Sequence, residues 1–301
     1  MGTPEFAVPS LETLLQHQYL IPAVVTAPDK PRGRGQQMSA TPVKLTALQH
    51  NLHVFQPESL RDPEFAGQIR SQRPDLIVVV AFRILPKELF MIPRLGSINL
   101  HASLLPRYRG AAPINWAIIN GEMETGVTTF FLEERVDTGN LLLQRSVPIG
   151  PEADAGSLHD TLAQAGAEVV LETVRLIEQG RASPRPQDNA LVSPAPKILK
   201  DDCRIRWDQP AVKVHNFIRG LSPHPAAFTQ HDGRVLKIFR TALTDLGAGI
   251  PGRVGVERES LSVSTSDRQL AILELQQEGK KRMSAAEFLR GYRIASGEKF
   301  L

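Results

Sequence analysis

Three side chains in the first half of the chain have the types and spacing of an acid–base constellation. Asn99 and His101 stand two residues apart in Gly96-Ser97-Ile98-Asn99-Leu100-His101, so a strand there turns both to one face. Asp137, in Val136-Asp137-Thr138-Gly139, follows 36 residues after His101. An amide that donates hydrogen bonds, an imidazole that carries or releases a proton, and a carboxylate that accepts one would then share a cleft. Asn, His and Asp are also common at strand ends, so these three alone leave chance placement open.

The elements that must position them are legible on either side. Residues 76–81 (LIVVVA) are apolar throughout, as in a strand buried on both faces of a parallel sheet. Further strands are expected at 22–27, 52–55, 97–100 and 126–132. Helical patterns fall at 10–17, 40–50, 63–72, 112–120 and 157–179, the last stopped by Gly180. This alternation predicts an α/β fold, an open mostly parallel sheet with helices on both faces. His101 would leave one strand at its carboxyl end and Asp137 would follow a second strand exit, where such sheets bind ligands.

The texture changes after residue 180. Residues 181–199 hold four prolines and no periodicity, which reads as a linker. Beyond it one helix (210–220) precedes short strands at 227–230, 235–241, 252–256, 260–264 and 270–275, the pattern of a small β-barrel. The expected domains are therefore 1–180 and 200–301. Residues 1–199 carry 18 Lys+Arg against 20 Asp+Glu, whereas residues 200–301 carry 17 against 12. A basic final third suits either a polyanionic partner or a merely soluble surface.

Composition removes several classes. With 42% hydrophobic and 22% charged residues among 301, the chain has the balance of a globular protein of about two domains. Its one cysteine, Cys203, forms no internal bridge and suits a reducing compartment. The longest apolar run, 76–82, is far short of the roughly 20 residues that span a bilayer. Met1-Gly2-Thr3-Pro4-Glu5 opens without a basic or apolar signal region, so a cytoplasmic chain acting as a monomer is expected. The eight histidines show no H-x-x-x-H or H-x-H spacing, which argues against zinc. No G-x-G-x-x-G follows Gly2-Thr3-Pro4, which argues against a dinucleotide.

Asn99-Leu100-His101 followed by Ser103-Leu104-Leu105-Pro106-Arg107-Tyr108-Arg109-Gly110-Ala111-Ala112-Pro113, with Asp137-Thr138-Gly139 at its distance, resembles the formyltransferase family that uses 10-formyltetrahydrofolate. The opening Gly-Thr-Pro-Glu-Phe-Ala (2–7), the loop Pro-Asp-Lys-Pro-Arg-Gly-Arg-Gly (28–35), Pro42-Val43-Lys44 and Gly279-Lys280-Lys281-Arg282-Met283 resemble the branch acting on initiator methionyl-tRNA. The resemblance covers essentially the whole chain. It implies a Rossmann-like catalytic domain with an OB-like C-terminal barrel, no metal, and a tetrahedral intermediate. Asn99 and His101 would donate to the oxyanion. Asp137 would set the protonation of His101 and take up the amine's proton.

The resemblance also implies a folate contact at Ser103, Leu104, Leu105 and Pro106, whose other reading is a plain loop with two packing leucines. Phe82, Arg83 and Ile84, leaving the most buried strand, would line the pterin pocket. Lys30, Arg32, Arg34 and Lys44 in the 28–44 loop, and Lys280, Lys281 and Arg282 on the barrel, would meet tRNA phosphates or else be solvated surface. Arg107 and Arg109 flank the cleft and suit either a folate tail or RNA. In the family a central strand precedes the Gly-Thr-Pro turn. Here Gly2 is the second residue, so a translation start upstream of Met1 is expected. Two other functions stay open: a formyltransferase for an amino sugar nucleotide, which would not need the basic segments, and a catalytically silent RNA-binding relative, against which the intact Asn99, His101 and Asp137 speak.

Overall fold

The computed structural model describes residues 1–32 and 37–301 and, of residues 32 and 37, the backbone alone. It divides into two compact units. The first comprises Met1–Gly110, Thr125–Pro148 and His159–Pro194, and the second Ala111–Glu124, Ile149–Leu158 and Ala195–Leu301. The segments 111–124 and 149–158 pack within the second unit.

In the first unit helix α1 (Val8–Gln16) has Pro9 in its first turn, where a missing N–H leaves no bond unmade. Strand β1 (Val24–Val25) pairs in parallel with β4 (Val54–Phe55). Between them lie an antiparallel hairpin, β2 (Lys30–Arg32) with β3 (Gln37–Ser39), and helix α2 (Pro42–Gln49). The Thr41 hydroxyl caps α2 by accepting from the Lys44 N–H at 3.1 Å, and Asp62 caps α3 (Pro63–Ser71) through the Glu64 N–H at 2.9 Å.

Four strands form the sheet that carries the site. They lie in the order β5 (Ile77–Val80), β6 (Ser97–His101), β8 (Glu124–Phe131) and β9 (Leu141–Pro148). Helix α4 (Lys87–Phe90) connects β5 to β6, and a short strand β7 (Arg109–Gly110) follows β6. β5 and β6 are parallel, with Asn99 opposite Val79. β6 and β8 are antiparallel, with Asn99 opposite Phe130 and His101 opposite Thr128. The sheet is therefore mixed at the site. The end of β8 lies at the far end of β6 from His101, and strand polarity does not deliver Asp137. A short loop returns β8 into β9, closed by Phe131 N–H donating to the Asn140 carbonyl at 3.0 Å, a connection only antiparallel neighbours allow. Strand β9 was not expected, because after Leu141-Leu142-Leu143 it turns polar at Gln144, Arg145 and Ser146. Helix α6 (Ala155–Glu178) closes on β6 at Gly166, where a β-carbon would stand 2.6 Å from Leu100 Cδ2.

Met1 and Gly2 lie between the two sheets. The Met1 amine donates to the Val78 carbonyl at 2.7 Å, Val80 N–H donates to the Met1 carbonyl, and Gly2 N–H donates to the Val25 carbonyl. Beside them an apolar cleft of about 500 Å³ runs between β1 and β5, lined by Leu11, Leu14, Val24, Ile77, Val174 and Ile177 among others.

The second unit contains α5 (Pro113–Ile119), whose Asn115 amide donates to the Gly220 carbonyl of α7 (Ala211–Leu221) at 2.7 Å. β10 (Pro194–Ala195) marks the passage between units. Six antiparallel strands follow in the order β11 (Ala227–His231), β12 (Arg234–Gly247), β15 (Arg268–Gln277), β14 (Ser260–Ser264) and β13 (Val254–Glu257), with β16 (Met283–Ser284) on β15. Ser284 and Glu287 form a capping box on α8 (Ala285–Gly291). The outer strands are tied through the last residues. Leu301 exchanges bonds with Gln230, at 2.9 and 3.1 Å, while Phe300 N–H donates to the Gly252 carbonyl at 2.8 Å. Where a small barrel was expected, the structure shows an antiparallel sheet bridged by this tail. Among the described residues no helix is long and apolar enough to cross a membrane.

Candidate active site

Asn99 and His101 share one face of β6. His101 is buried, its side chain 7% exposed, and its Nε2 lies 2.8 Å from the Tyr108 carbonyl oxygen. A carbonyl only accepts, so the ring proton sits on Nε2 and Nδ1 faces Asp137. That contact is 3.8 Å to Oδ2 of a carboxylate 10% exposed, too long for a hydrogen bond. Asp137 Oδ2 accepts the Gly110 N–H at 3.0 Å. Asn99 is half-buried, and its side-chain amide has no hydrogen-bond partner among the described residues. The structure thus brings His101 and Asp137 together, with Asn99 on the strand face of His101. Nε2 of His101 is held by the Tyr108 carbonyl, and Nδ1 faces Asp137 without a hydrogen bond to it.

Asp137 is carried by a strained turn. Its φ is +56°, in the left-handed region. Two residues on, a β-carbon at Gly139 would stand 1.7 Å from the Phe131 carbonyl oxygen, so only glycine lets the turn press against the end of β8. The 181–199 segment, expected to be a free linker, returns to this turn in its first part. Gln187 Nε2 donates to the carbonyls of Asp137 and Gly139, both at 2.9 Å, and Gln187 Oε1 accepts from Arg109 Nε at 3.0 Å. Arg185 and Leu141 exchange main-chain bonds, and Ser193 accepts from Arg109 N–H and, through its hydroxyl oxygen, from Tyr108 N–H. No sequence signal marked Gln187: a glutamine in a proline-rich stretch has no periodicity to betray it.

The segment after His101 is fastened from below. Ser103 is fully buried with its hydroxyl donating to the Arg107 carbonyl, and Leu105 is buried with Phe130 and Leu141. Thr128, opposite His101, donates to the Ser103 carbonyl at 2.6 Å and accepts from Leu105 N–H at 3.1 Å. Gln144 donates to the Leu105 carbonyl at 2.8 Å. Pro106 is buried and Leu104 half-buried. Phe82, Arg83 and Ile84 leave β5 at the same end as His101 leaves β6. Arg83 binds the Glu58 and Pro57 carbonyls at 2.8 and 2.7 Å and stacks on Phe82, so its guanidinium secures a loop. Ile84 is exposed, and the main-chain N–H groups of residues 82–84 have no main-chain acceptor among the described residues.

The cations divide into committed and exposed. Lys44 is paired with Asp29 at 2.6 Å, and Arg282 is paired with Glu274 and lies over the Phe239 ring at 4.5 Å. Each has an intramolecular carboxylate within reach, and Arg282 remains exposed beside its partner. Lys30, Lys280 and Lys281 are exposed. Arg34 lies outside the described residues, as does the side chain of Arg32. Among the described residues no group of three or more His, Cys, Asp or Glu is placed to hold a metal ion.

Residues 1–174 match the family model "Formyl transferase", and residues 197–293 match "Formyl transferase, C-terminal domain". The chain belongs to the formyltransferase family. Within it, the chain is 50% identical over 299 residues to a methionyl-tRNA formyltransferase of Citrifermentans bemidjiense, covering 99% of this chain and 94% of that one. It is 48% identical over 300 residues to the methionyl-tRNA formyltransferase of Caldanaerobacter subterraneus subsp. tengcongensis, covering 99% and 97%. Among solved structures, the N-formyltransferase of Helicobacter canadensis, in complex with folinic acid and dTDP-3-aminofucose, aligns at a TM-score of 0.67 and 22% identity. That alignment covers 92% of this chain and 97% of that one. At such identity it shows the shared fold.

Gly139→Ala should displace the 137–139 turn while leaving the core of the first unit intact. Formyltransferase activity should fall at least tenfold, since misplacement of a reacting group by about 1 Å costs on the order of 10²-fold. The circular dichroism spectrum should be unchanged. Unaltered turnover would show that the turn tolerates a shift.

Proposed function

We propose that the chain transfers the formyl group of 10-formyltetrahydrofolate to the α-amino group of the methionine carried by initiator tRNA. One observation carries the reading: the face shared by Asn99 and His101 meets Asp137, in a chain about half identical over nearly its whole length to methionyl-tRNA formyltransferases. The methionine nitrogen attacks the formyl carbon, a C–N bond forms there as the bond from that carbon to folate N10 breaks, and the amine's proton ends on N10. Oxygen at the formyl carbon becomes negative on the way. Asn99, the amide without a protein partner, supplies the donor for it. His101, holding one proton against the Tyr108 carbonyl, has Nδ1 free to accept another beside the Asp137 carboxylate. The pair thus takes up and returns the proton.

Folate sits, on this reading, at the exits of β5 and β6, where the N–H groups of residues 82–84 read the pterin edge and Leu104 lines the wall. Ser103, Leu105 and Pro106 support that wall from within the protein. Lys30, Arg32 and Arg34 of the 28–44 segment and, separately, Lys280 and Lys281 of the second unit are the tRNA contacts on this reading.

Single-turnover formylation of charged tRNA tests the reading directly. Asp137→Asn tolerates the left-handed backbone and loses only the base, so its rate should fall about 10²-fold or more with folate binding retained. Wild-type turnover would remove Asp137 from the mechanism, and transfer to an amino sugar nucleotide in preference to tRNA would replace the acceptor. Neutralising Lys280 and Lys281 together should weaken tRNA binding and lower the slope of log affinity against log salt by up to about 0.9 per duplex contact. An unchanged slope would return both lysines to ordinary surface.

A further inference from the structure

Gln187 stands out in its stretch of chain. Residues 183–186 and 188–190 are exposed, while Gln187 is half-buried with its carboxamide turned into the first unit. A carboxamide offers two N–H donors and two lone pairs, and all four are engaged. The donors reach the carbonyls of Asp137 and Gly139 at 2.9 Å each, and the oxygen accepts from Arg109 Nε at 3.0 Å and Nη2 at 2.5 Å. None of these partners is in the hydrophobic core. Arg109 precedes Gly110, whose N–H holds the Asp137 carboxylate, and follows Tyr108, whose carbonyl holds His101.

We infer that Gln187 is a positioning residue that sets the distance between His101 and Asp137, an inference that rests on the reading of that pair given above. The bonds form a ring. Asp137 is tied at its carboxylate to Gly110 and at its carbonyl to Gln187, and Gln187 is tied to Arg109, the neighbour of Gly110. The 3.8 Å separation is thereby fixed from both sides of a residue whose backbone lies in the left-handed region. A turn of that kind persists only when its surroundings over-determine it. Gln187 supplies the part of that determination that the strands do not.

Two variants test it. Gln187→Ala removes all four bonds. Gln187→Glu keeps the shape and the acceptor for Arg109 but sets a carboxylate against two carbonyl oxygens. Each should lower kcat by about 10- to 100-fold and change KM for folate and for tRNA less than about threefold. A purely structural role would leave kcat untouched well below the unfolding temperature. In an Asp137→Asn background, Gln187→Ala should cost less than about twofold more, because a positioning residue has nothing left to position. Full kcat in Gln187→Ala beside a slow Asp137→Asn would overturn the inference alone, as would losses that simply multiply. A wild-type-like Asp137→Asn would instead overturn the underlying reading, and the role of Gln187 with it. Should Gln187→Ala fail to fold, the kcat and KM values of Gln187→Glu decide by the same criteria.

Discussion

The site depends on one close approach: the Phe131 carbonyl oxygen occupies the space where any residue but glycine at 139 would carry its β-carbon. Because the backbone passes so near the end of β8, the loop between β8 and β9 folds back over the sheet instead of continuing outward. Asp137 then reaches His101 although β8 runs antiparallel to the strand bearing it. The left-handed backbone at Asp137 follows from the same turn, and aspartate is among the few side chains that tolerate it. Both partners end up nearly excluded from water, with side chains 7% and 10% exposed.

That placement suits the division of labour proposed for the three residues. The Tyr108 carbonyl fixes the proton on Nε2 of His101, so the remaining lone pair faces Asp137. Asn99 lies two residues earlier on the same face, and its amide has no hydrogen-bond partner among the described residues. On the proposed reading, an amide beside a tautomer-locked imidazole separates stabilisation of negative charge from movement of the proton.

Much of this was legible in the sequence, for local reasons. An all-apolar run at 76–81 admits little but a doubly buried strand, and β5 is found at Ile77–Val80. The i, i+2 spacing of Asn99 and His101 survives because β6 extends over both. What escaped was non-local. Strand β9 has a polar middle that is tolerated because residues 143–146 alternate between half-buried and exposed. Gln187 and Ser193 sit among prolines and bond to main-chain groups more than forty residues away, a relation no window of sequence contains. The direction of β8 also escaped, since a strand's apolar pattern reads the same in either orientation.

Charge shows the same limit from the other side. A count of 17 Lys+Arg against 12 Asp+Glu in residues 200–301 describes the surface only as an average. In the structure Arg282 is spent on Glu274 and on the Phe239 ring, and in the other unit Lys44 is spent on Asp29, Arg83 on two carbonyls and Arg109 on Gln187. Each of these would have to exchange a formed contact for a phosphate, gaining only the difference between the two. Lys280 and Lys281 are exposed to solvent and ions, so a polyanion that meets them releases counterions without breaking a protein contact. Of the three consecutive cations, the first two are therefore the ones open to a polyanion, while the third is already paired with Glu274.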